Sequence, residues 1–229
     1  LESILYYISM SIRKVKLVSG EYYHIYNRGN SKQKIFLDKE DYLRFIGLLY
    51  ACNQKGNLKV NNLNKGQTLY DIECEEPLVN IGAYCLMPNH FHLLITQSED
   101  NNISNFIQKF STSYSMYFNK KYKRTGSLFE GKFKSQHINI DQYLKYMFSY
   151  IHLNPVKLIQ KDWKESGIKN KKEVVEYLND YPYSSYLDYI GIQRTQNKIL
   201  NIKTFPKYFP NKKSFLAEIF EWLSYNTLS

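Results

Sequence analysis

Apolar and polar residues along the chain alternate in two different periods, which predicts a mixture of strands and helices. Period-two or continuous apolar runs predict strands over 21–27, 78–86 and 90–96, with a short one over 68–73 and another near Phe133. Apolar residues three and four apart predict helices over 38–52, 103–122 and 141–153. This order of elements indicates an α+β fold, with an antiparallel sheet and helices packed on one side of it.

The pattern changes after about residue 160, where shorter helical stretches and polar loops replace the regular order. We therefore divide the chain into an N-terminal segment, a central α+β domain and a C-terminal helical extension, over residues 1–20, 21–160 and 161–229. Residues 53–67 are polar and contain two glycines, which predicts a loop.

Two histidines stand two residues apart in the strand at 90–96, in the run MPNHFHLLI. Strand side chains alternate, so His90 and His92 share one face while Phe91, Leu93 and Ile95 face a core. Two neutral imidazoles side by side can hold a divalent metal ion. The pair alone is weak evidence, because many strands carry such a pair by chance.

The helix at 141–153 carries a tyrosine edge between its core side and solvent. Leu144, Phe148 and Ile151 form the core side, and Lys145, Ser149 and His152 are predicted to face away. The edge consists of Tyr143, Tyr146 and Tyr150. Asn154 follows Tyr150 by four residues and so lies over the same edge if the helix persists. Boundary tyrosines commonly just pack their rings, so the residues alone leave a structural role open.

Composition favours a polyanionic partner. The chain has a formal net charge of +10 and a pI near 9.2, and 16% of its residues are aromatic. No apolar run is long enough to span a bilayer, which predicts a soluble protein with no membrane partner. Three cysteines without a C-x-x-C pair predict free thiols in the cytoplasm and argue against structural zinc.

Three motifs occur in order: YHIYNRG, YCLMPNHFHLLI and YLKYMFSYIHLNPVK. Together they resemble the single-tyrosine HUH transposases, and the REP-associated tyrosine transposases in particular. The resemblance covers roughly residues 22–186. It implies that 21–160 is an HUH catalytic domain with a ferredoxin-like core.

The resemblance also implies roles for particular residues. It makes Tyr150 the nucleophile and makes His90, His92 and Asn154 the metal ligands. Related enzymes often have glutamine where Asn154 stands. Tyr114 and Tyr117 are better explained as core residues of their helix, and Tyr146 lacks an amide at the matching spacing.

The same resemblance implies a divalent cofactor, Mg²⁺ or Mn²⁺, and single-stranded, hairpin-containing DNA as the partner. It further implies a homodimer, with a monomer as the alternative, located in the cytoplasm and on the nucleoid when bound to DNA. The expected activity is cleavage and rejoining of DNA through a 5′-phosphotyrosine intermediate. The alternatives are a domesticated protein that binds hairpins without cutting them, and a metal-dependent phosphodiesterase that uses water.

Basic residues interleaved with aromatic ones suggest where DNA binds, because lysines neutralise phosphates while rings stack on unpaired bases. The candidates are Asn27, Arg28, Lys120, Lys121, Lys123, Arg124, Lys132 and Lys134.

The remaining histidines are expected to be structural or surface residues: His24, His137 and His152. Contact between His24 and DNA is the alternative.

Overall fold

The computed structural model describes residues 16–56, 64–74 and 76–224, with side chains described up to residue 221. Most of the N-terminal segment and part of the predicted loop at 53–67 therefore lie outside the described residues. The central domain consists of β1 (Tyr22–Arg28), α1 (Lys39–Ala51), β2 (Val79–Met87), β3 (His90–Gln97), α2 (Asn102–Lys121), β4 (Lys134–Ile138) and α3 (Asp141–Leu153). The later helices are α4 (Trp163–Ser166), α5 (Lys171–Asn179), α6 (Tyr186–Tyr189) and α7 (Lys212–Ser224).

The four strands form one sheet in the order β2-β3-β1-β4, and each neighbouring pair is antiparallel. The prediction of an α+β fold with an antiparallel sheet is confirmed. The register pairs Tyr26 with His92 and Arg28 with His90 across β1 and β3. On the other side of β3, Met87 of β2 lies opposite His90. Both histidine positions are thus set by strands on either side of β3.

Helices cover both faces of the sheet, so the prediction that they pack on one side is wrong. One face carries Ile25, Phe91 and Leu93 and belongs to the core that includes α1 and α2. The opposite face packs against α3 through a second core, which includes Cys85 and Leu94. Strands β2 and β3 are apolar on both faces, and each face must be buried.

The predicted strand at 68–73 is instead a 3₁₀ turn, Leu69–Asp71. The Thr68 side chain accepts a hydrogen bond from the backbone N–H of Tyr70, and the Asp71 carboxylate accepts one from the backbone N–H of Thr68. These short-range bonds favour a turn over a ladder with another strand. The spacing of Thr68 and Asp71, three residues apart, is the sequence pattern that indicates such a turn.

The outward side predicted for α3 is also wrong for two of its three residues. Ser149 and His152 are buried, and Tyr189 and Phe215 of the C-terminal extension pack against the ring of His152. Nε2 of His152 lies 2.7 Å from the hydroxyl of Ser185. Lys145 remains partly exposed and pairs with Glu218 of α7 at 2.5 Å. Although the sequence of α3 has a single apolar side, two parts of the fold pack against this helix: the sheet and the C-terminal extension.

The extension is fixed to β2 by backbone hydrogen bonds and by one close ring contact. The backbone N–H of Leu86 donates to Tyr183 at 3.0 Å, and that of Asn201 donates to Ile81 at 3.0 Å. The ring of Phe205 lies so close to Gly82 that a Cβ there would come within 2.8 Å of it. The glycine therefore allows the extension to cover the strand. No helix among the described residues is long and apolar enough to cross a membrane.

Candidate active site

The proposed histidines and tyrosine meet in one pocket between β1, β3 and the C-terminal end of α3. The pocket has a volume of about 320 Å³. Its lining residues are Tyr26, Asn27, Arg28, Lys32, Asn89, His90, His92, Glu130, Lys134, Tyr150, Asn154 and Lys157. The strand alternation used to predict a shared face for His90 and His92 places both side chains there.

Each of the two histidines has a partner on its Nδ1 atom. Nδ1 of His90 lies 2.6 Å from Oδ1 of Asn89, and Nδ1 of His92 lies 2.8 Å from Nε2 of His24. Since an amide oxygen only accepts, the His90 proton resides on Nδ1, which leaves Nε2 with a lone pair. The second contact permits the same tautomer for His92. Partners of this kind orient the histidine ligands of metal ions.

Burial keeps these histidines neutral. Together with the charges of Lys157 and Arg28, it lowers the pKa of His90 to about 4. It holds the pKa of His92 well below the usual range, and His24 and His90 add to that effect. Burial likewise lowers the pKa of His24 to about 3. Neutral imidazole is the form that ligates metals.

Tyr150 lies against this histidine cluster. Its ring centre is 5.8 Å from that of His92 and 5.9 Å from that of His24, both in edge-on geometry. Burial raises the pKa of the Tyr150 phenol, and a hydrogen bond from the Asn154 side chain opposes that rise. The competing candidates lie differently: Tyr114 is fully buried in the core with α1, and Tyr146 does not line the pocket.

Asn154 follows the last residue of α3 and starts a 3₁₀ turn, Asn154–Leu158. The side chain is 2% exposed, and its Nδ2 donates to the backbone carbonyl of Tyr150 at 2.8 Å. This bond fixes the amide and leaves its oxygen available for another partner. Pro155 occupies the first turn without breaking the helical path, so the amide stays over the tyrosine edge.

The donors in the pocket fit a divalent ion with open coordination positions. Two neutral imidazole nitrogens and one amide oxygen are a mixed nitrogen and oxygen set. Within the described ranges, no group of three or more His, Cys, Asp or Glu side chains could hold a metal. A metal in this pocket would therefore take Asn154, water or substrate oxygens beside the two histidines.

The predicted DNA contacts divide into three groups. Asn27, Arg28 and Lys134 line the pocket. Lys132 lies in a neighbouring groove along α2, which Asn27 also lines. The remaining predicted contacts lie at the end of α2 and line neither cavity: Lys120, Lys121, Lys123 and Arg124.

Lys121 is held by acidic residues at the start of α1. Its ammonium lies 2.7 Å from Asp38, 3.1 Å from Glu40 and 3.0 Å from Asp41. Arg28 is also paired, through two contacts between its guanidinium and the carboxylate of Glu130. Phosphate would have to compete with these carboxylates at both positions.

Several pocket residues were absent from the sequence-based set. Lys157 belongs to the NPVK end of the third motif, so its position beside Asn154 was readable from the sequence. Lys32 and Glu130 come from loops whose approach to the pocket no local pattern shows. Lys164 was also missed: its Nζ lies 4.0 Å from the centre of the Tyr150 ring. The sequence gives no sign of this contact, because a loop separates α4 from α3.

Comparison with known proteins places this chain in a family. A curated relative, a putative REP-associated tyrosine transposase of Haemophilus influenzae, is 29% identical over 135 residues, covering 54% of this chain and 68% of the relative. A solved REP-associated tyrosine transposase bound to a REP hairpin aligns with a TM-score of 0.47 and 14% identity, over 82% of this chain and 90% of that one. The family model of IS200-like transposases matches residues 17–154, more than half of the 229 residues. The chain therefore belongs to the IS200-like transposase family.

Proposed function

We propose that this protein cleaves and rejoins single-stranded, hairpin-containing DNA through a covalent bond between Tyr150 and a 5′-phosphate. The observation that carries the proposal is the position of the Tyr150 ring, 5.8 Å from that of His92 in a pocket with basic residues at its walls. Family membership supports transposition as the overall activity. The tyrosine mechanism and the hairpin substrate are our inference from the site.

Basic side chains would bind the DNA backbone at the pocket. Arg28, Lys32, Lys134 and Lys157 all line it, so a strand entering there meets several positive charges. Tyr26, whose ring stacks on that of His24, lines the same pocket. We propose hairpin DNA as the substrate class, on the basis of these basic pocket residues and the membership of the transposase family.

His90, His92 and Asn154 would hold a divalent ion, Mg²⁺ or Mn²⁺. When bound, the ion would polarise the scissile phosphate and stabilise negative charge in the transition state. Asn89 and His24 contribute by fixing the rings of the two histidine ligands.

The phenol oxygen of Tyr150 would attack the phosphorus atom. A bond forms between that oxygen and phosphorus while the bond from phosphorus to the 3′ oxygen breaks. One proton is lost by the phenol and one is gained by the departing 3′ oxygen, so the charges balance. The new phosphodiester retains the energy of the broken one, and a 3′-OH can reverse the step to rejoin strands. Asn154 positions the nucleophile through its bond to the Tyr150 backbone.

We further propose that the protein acts in the cytoplasm, where its DNA substrate is found, and as a homodimer. Measurement of the molar mass in solution tests the second point, with a monomer as the alternative.

Trapping of the covalent adduct tests the function. Purified protein is incubated with Mn²⁺ and labelled single-stranded hairpins from the DNA that flanks its gene, then separated on a denaturing gel. We expect a labelled protein band that Tyr150→Phe abolishes, while Tyr146→Phe, on the same helix edge, retains it. Cleavage without an adduct would instead indicate hydrolysis by water. Tight hairpin binding with neither product would indicate a binding protein.

A further inference from the structure

Lys164 connects the C-terminal extension to the proposed nucleophile. It lies on α4, ten residues beyond the segment that the family model matches. Its Nζ is 4.0 Å from the centre of the Tyr150 ring and 5.6 Å from that of Trp163. The side chain is partly buried between these rings. A cation at this distance from an aromatic ring is attracted to it.

Burial of the Lys164 ammonium disfavours its charged form. Burial, together with the neighbouring charge of Lys157, lowers the pKa of Lys164 to about 8. At neutral pH the lysine still carries its proton for most of the time. Lysines usually extend the charged end into water, whereas this partly buried ammonium lies over the ring of the proposed nucleophile.

Arg28, Lys32, Lys134 and Lys157 line the pocket around Tyr150, whereas other side chains contact or neighbour the ring itself. The groups of the described chain that interact with the Tyr150 side chain through ring contacts, hydrogen bonds or charge are His24 and Tyr26 of β1, Cys85 of β2, His92 of β3, Tyr143 and Tyr146 of α3, and Asn154. The two histidines among them are neutral at pH 7, because their pKa values are lowered by burial. The ammonium of Lys164 therefore adds a positive charge in direct contact with the ring.

We propose that Lys164 is a positioning residue for the Tyr150 nucleophile, supplied by the extension outside the family-matched segment. Its ammonium holds the phenol ring against the histidine cluster and stabilises the negative charge that develops on the phenol oxygen during attack. Lys164 transfers no proton in this step, so the balance of bonds and protons given above is unchanged. This inference rests on the proposed role of Tyr150.

Two substitutions at position 164 separate the contribution of the charge from that of the apolar part of the side chain. Lys164→Met keeps much of the apolar side chain and removes the charge, whereas Lys164→Arg keeps the charge. Lys161→Met is the matched control, because it removes one exposed lysine from the same segment. We expect Lys164→Met to lower the single-turnover rate of adduct formation by about 10- to 100-fold, the range for a desolvated cation–π contact. We expect Lys164→Arg to recover most of the rate.

Hairpin affinity distinguishes this role from an ordinary phosphate contact. We expect the dissociation constant of Lys164→Met to stay within about twofold of wild type, since the lysine acts on the tyrosine rather than on DNA. A rate at the wild-type level, a rate loss that Arg does not recover in a folded protein, or a parallel loss of affinity would each overturn the proposal.

A spectroscopic measurement is independent of activity. 3-Fluorotyrosine placed at position 150 reports the surroundings of the ring by ¹⁹F NMR, in protein free of DNA and metal. We expect Lys164→Met to shift this resonance and Lys161→Met to leave it unchanged. If Tyr150 formed no adduct with any hairpin, the proposed function would fail, yet this resonance would still show whether the lysine contacts the ring. An unchanged resonance in Lys164→Met would refute the contact.

Discussion

Nε2 of His24 lies 2.8 Å from Nδ1 of His92, so a buried histidine of β1 orients a proposed metal ligand of β3. The two rings are stacked with their centres 5.0 Å apart. Sequence reasoning had placed His24 among structural or surface residues, with contact to DNA as an alternative. The structure gives it a position behind the ligand, where it can fix the tautomer and the ring orientation of His92.

Replacement of His24 by alanine is therefore expected to weaken metal binding. Loss of an outer partner typically lowers metal affinity by about 10- to 100-fold. Titration of the metal-free protein with Mn²⁺ by calorimetry measures the change. His137→Ala is the control, because His137 pairs with Glu21 and does not line the pocket. Equal affinity in wild type and His24→Ala would show that His92 needs no such partner.

Glu130 competes with phosphate for Arg28. The two side chains are paired and both are about two-fifths exposed, so the pair is weak enough to exchange. Glu130→Gln removes a negative charge from the pocket and frees the guanidinium for DNA. We expect the affinity for the hairpin to rise a few-fold. We also expect the logarithm of the affinity to fall more steeply with the logarithm of the salt concentration, by up to about one released counterion. Binding measured across a range of salt concentrations checks both.

Arg28→Ala provides the opposite case for the same pair. It should weaken hairpin binding and make the salt dependence shallower by about one counterion. If Glu130→Gln weakened binding instead, the carboxylate would be acting by positioning Arg28 rather than by competing with DNA.

Acid should destabilise the protein through His152. Burial lowers the pKa of this residue to about 3, whereas an unfolded histidine titrates near about 6.5. Above that pH both states are neutral and His152 has no effect. As the pH falls from there towards 3, the unfolded state takes up a proton that the folded state does not. The free energy of unfolding therefore falls, by about 1.4 kcal/mol per pH unit for one histidine.

Urea denaturation of metal-free protein at several pH values between 6.5 and 4 measures this slope. His152→Gln retains an amide that can reach Ser185 and removes the titration. We expect the variant to be less stable at pH 7 and to lose stability less steeply towards acid. Parallel pH curves for wild type and His152→Gln would show that the buried imidazole does not contribute.

Local patterns predicted the site better than they predicted its surroundings. Strand alternation suffices to put His90 and His92 on one face, and a spacing of four residues suffices to put Asn154 over Tyr150. Both are short-range consequences of backbone geometry. The choice of Tyr150 as the proposed nucleophile rests on the resemblance, because Tyr143, Tyr146 and Tyr150 share one edge and the spacing to Asn154 alone leaves a structural role open.

Contacts between distant segments could not be predicted in this way. His152 was predicted to face outward because α3 in isolation has one apolar side, yet the extension brings Ser185 against it. Lys121 stands in a basic run, but α1 supplies three carboxylates that the run does not reveal. In both cases a partner far away in sequence determines the environment of the residue, which the local pattern does not show.

Arg194 is expected to be the strongest single attachment within the extension. Its guanidinium pairs with Asp188, which is 2% exposed, and it also donates to the carbonyls of Pro182 and Ser184 and to the hydroxyl of Tyr84 on β2. Arg194→Met would leave a buried carboxylate without its partner, which typically costs about 3–5 kcal/mol. Lys169→Met, which breaks an exposed pair with Asp162, should cost less than about 1 kcal/mol. Urea unfolding compares the free energies of unfolding of the two variants. In limited proteolysis, Arg194→Met should be cut first in the extension. Similar stability for both variants would show that the buried pair does not fix the extension to β2.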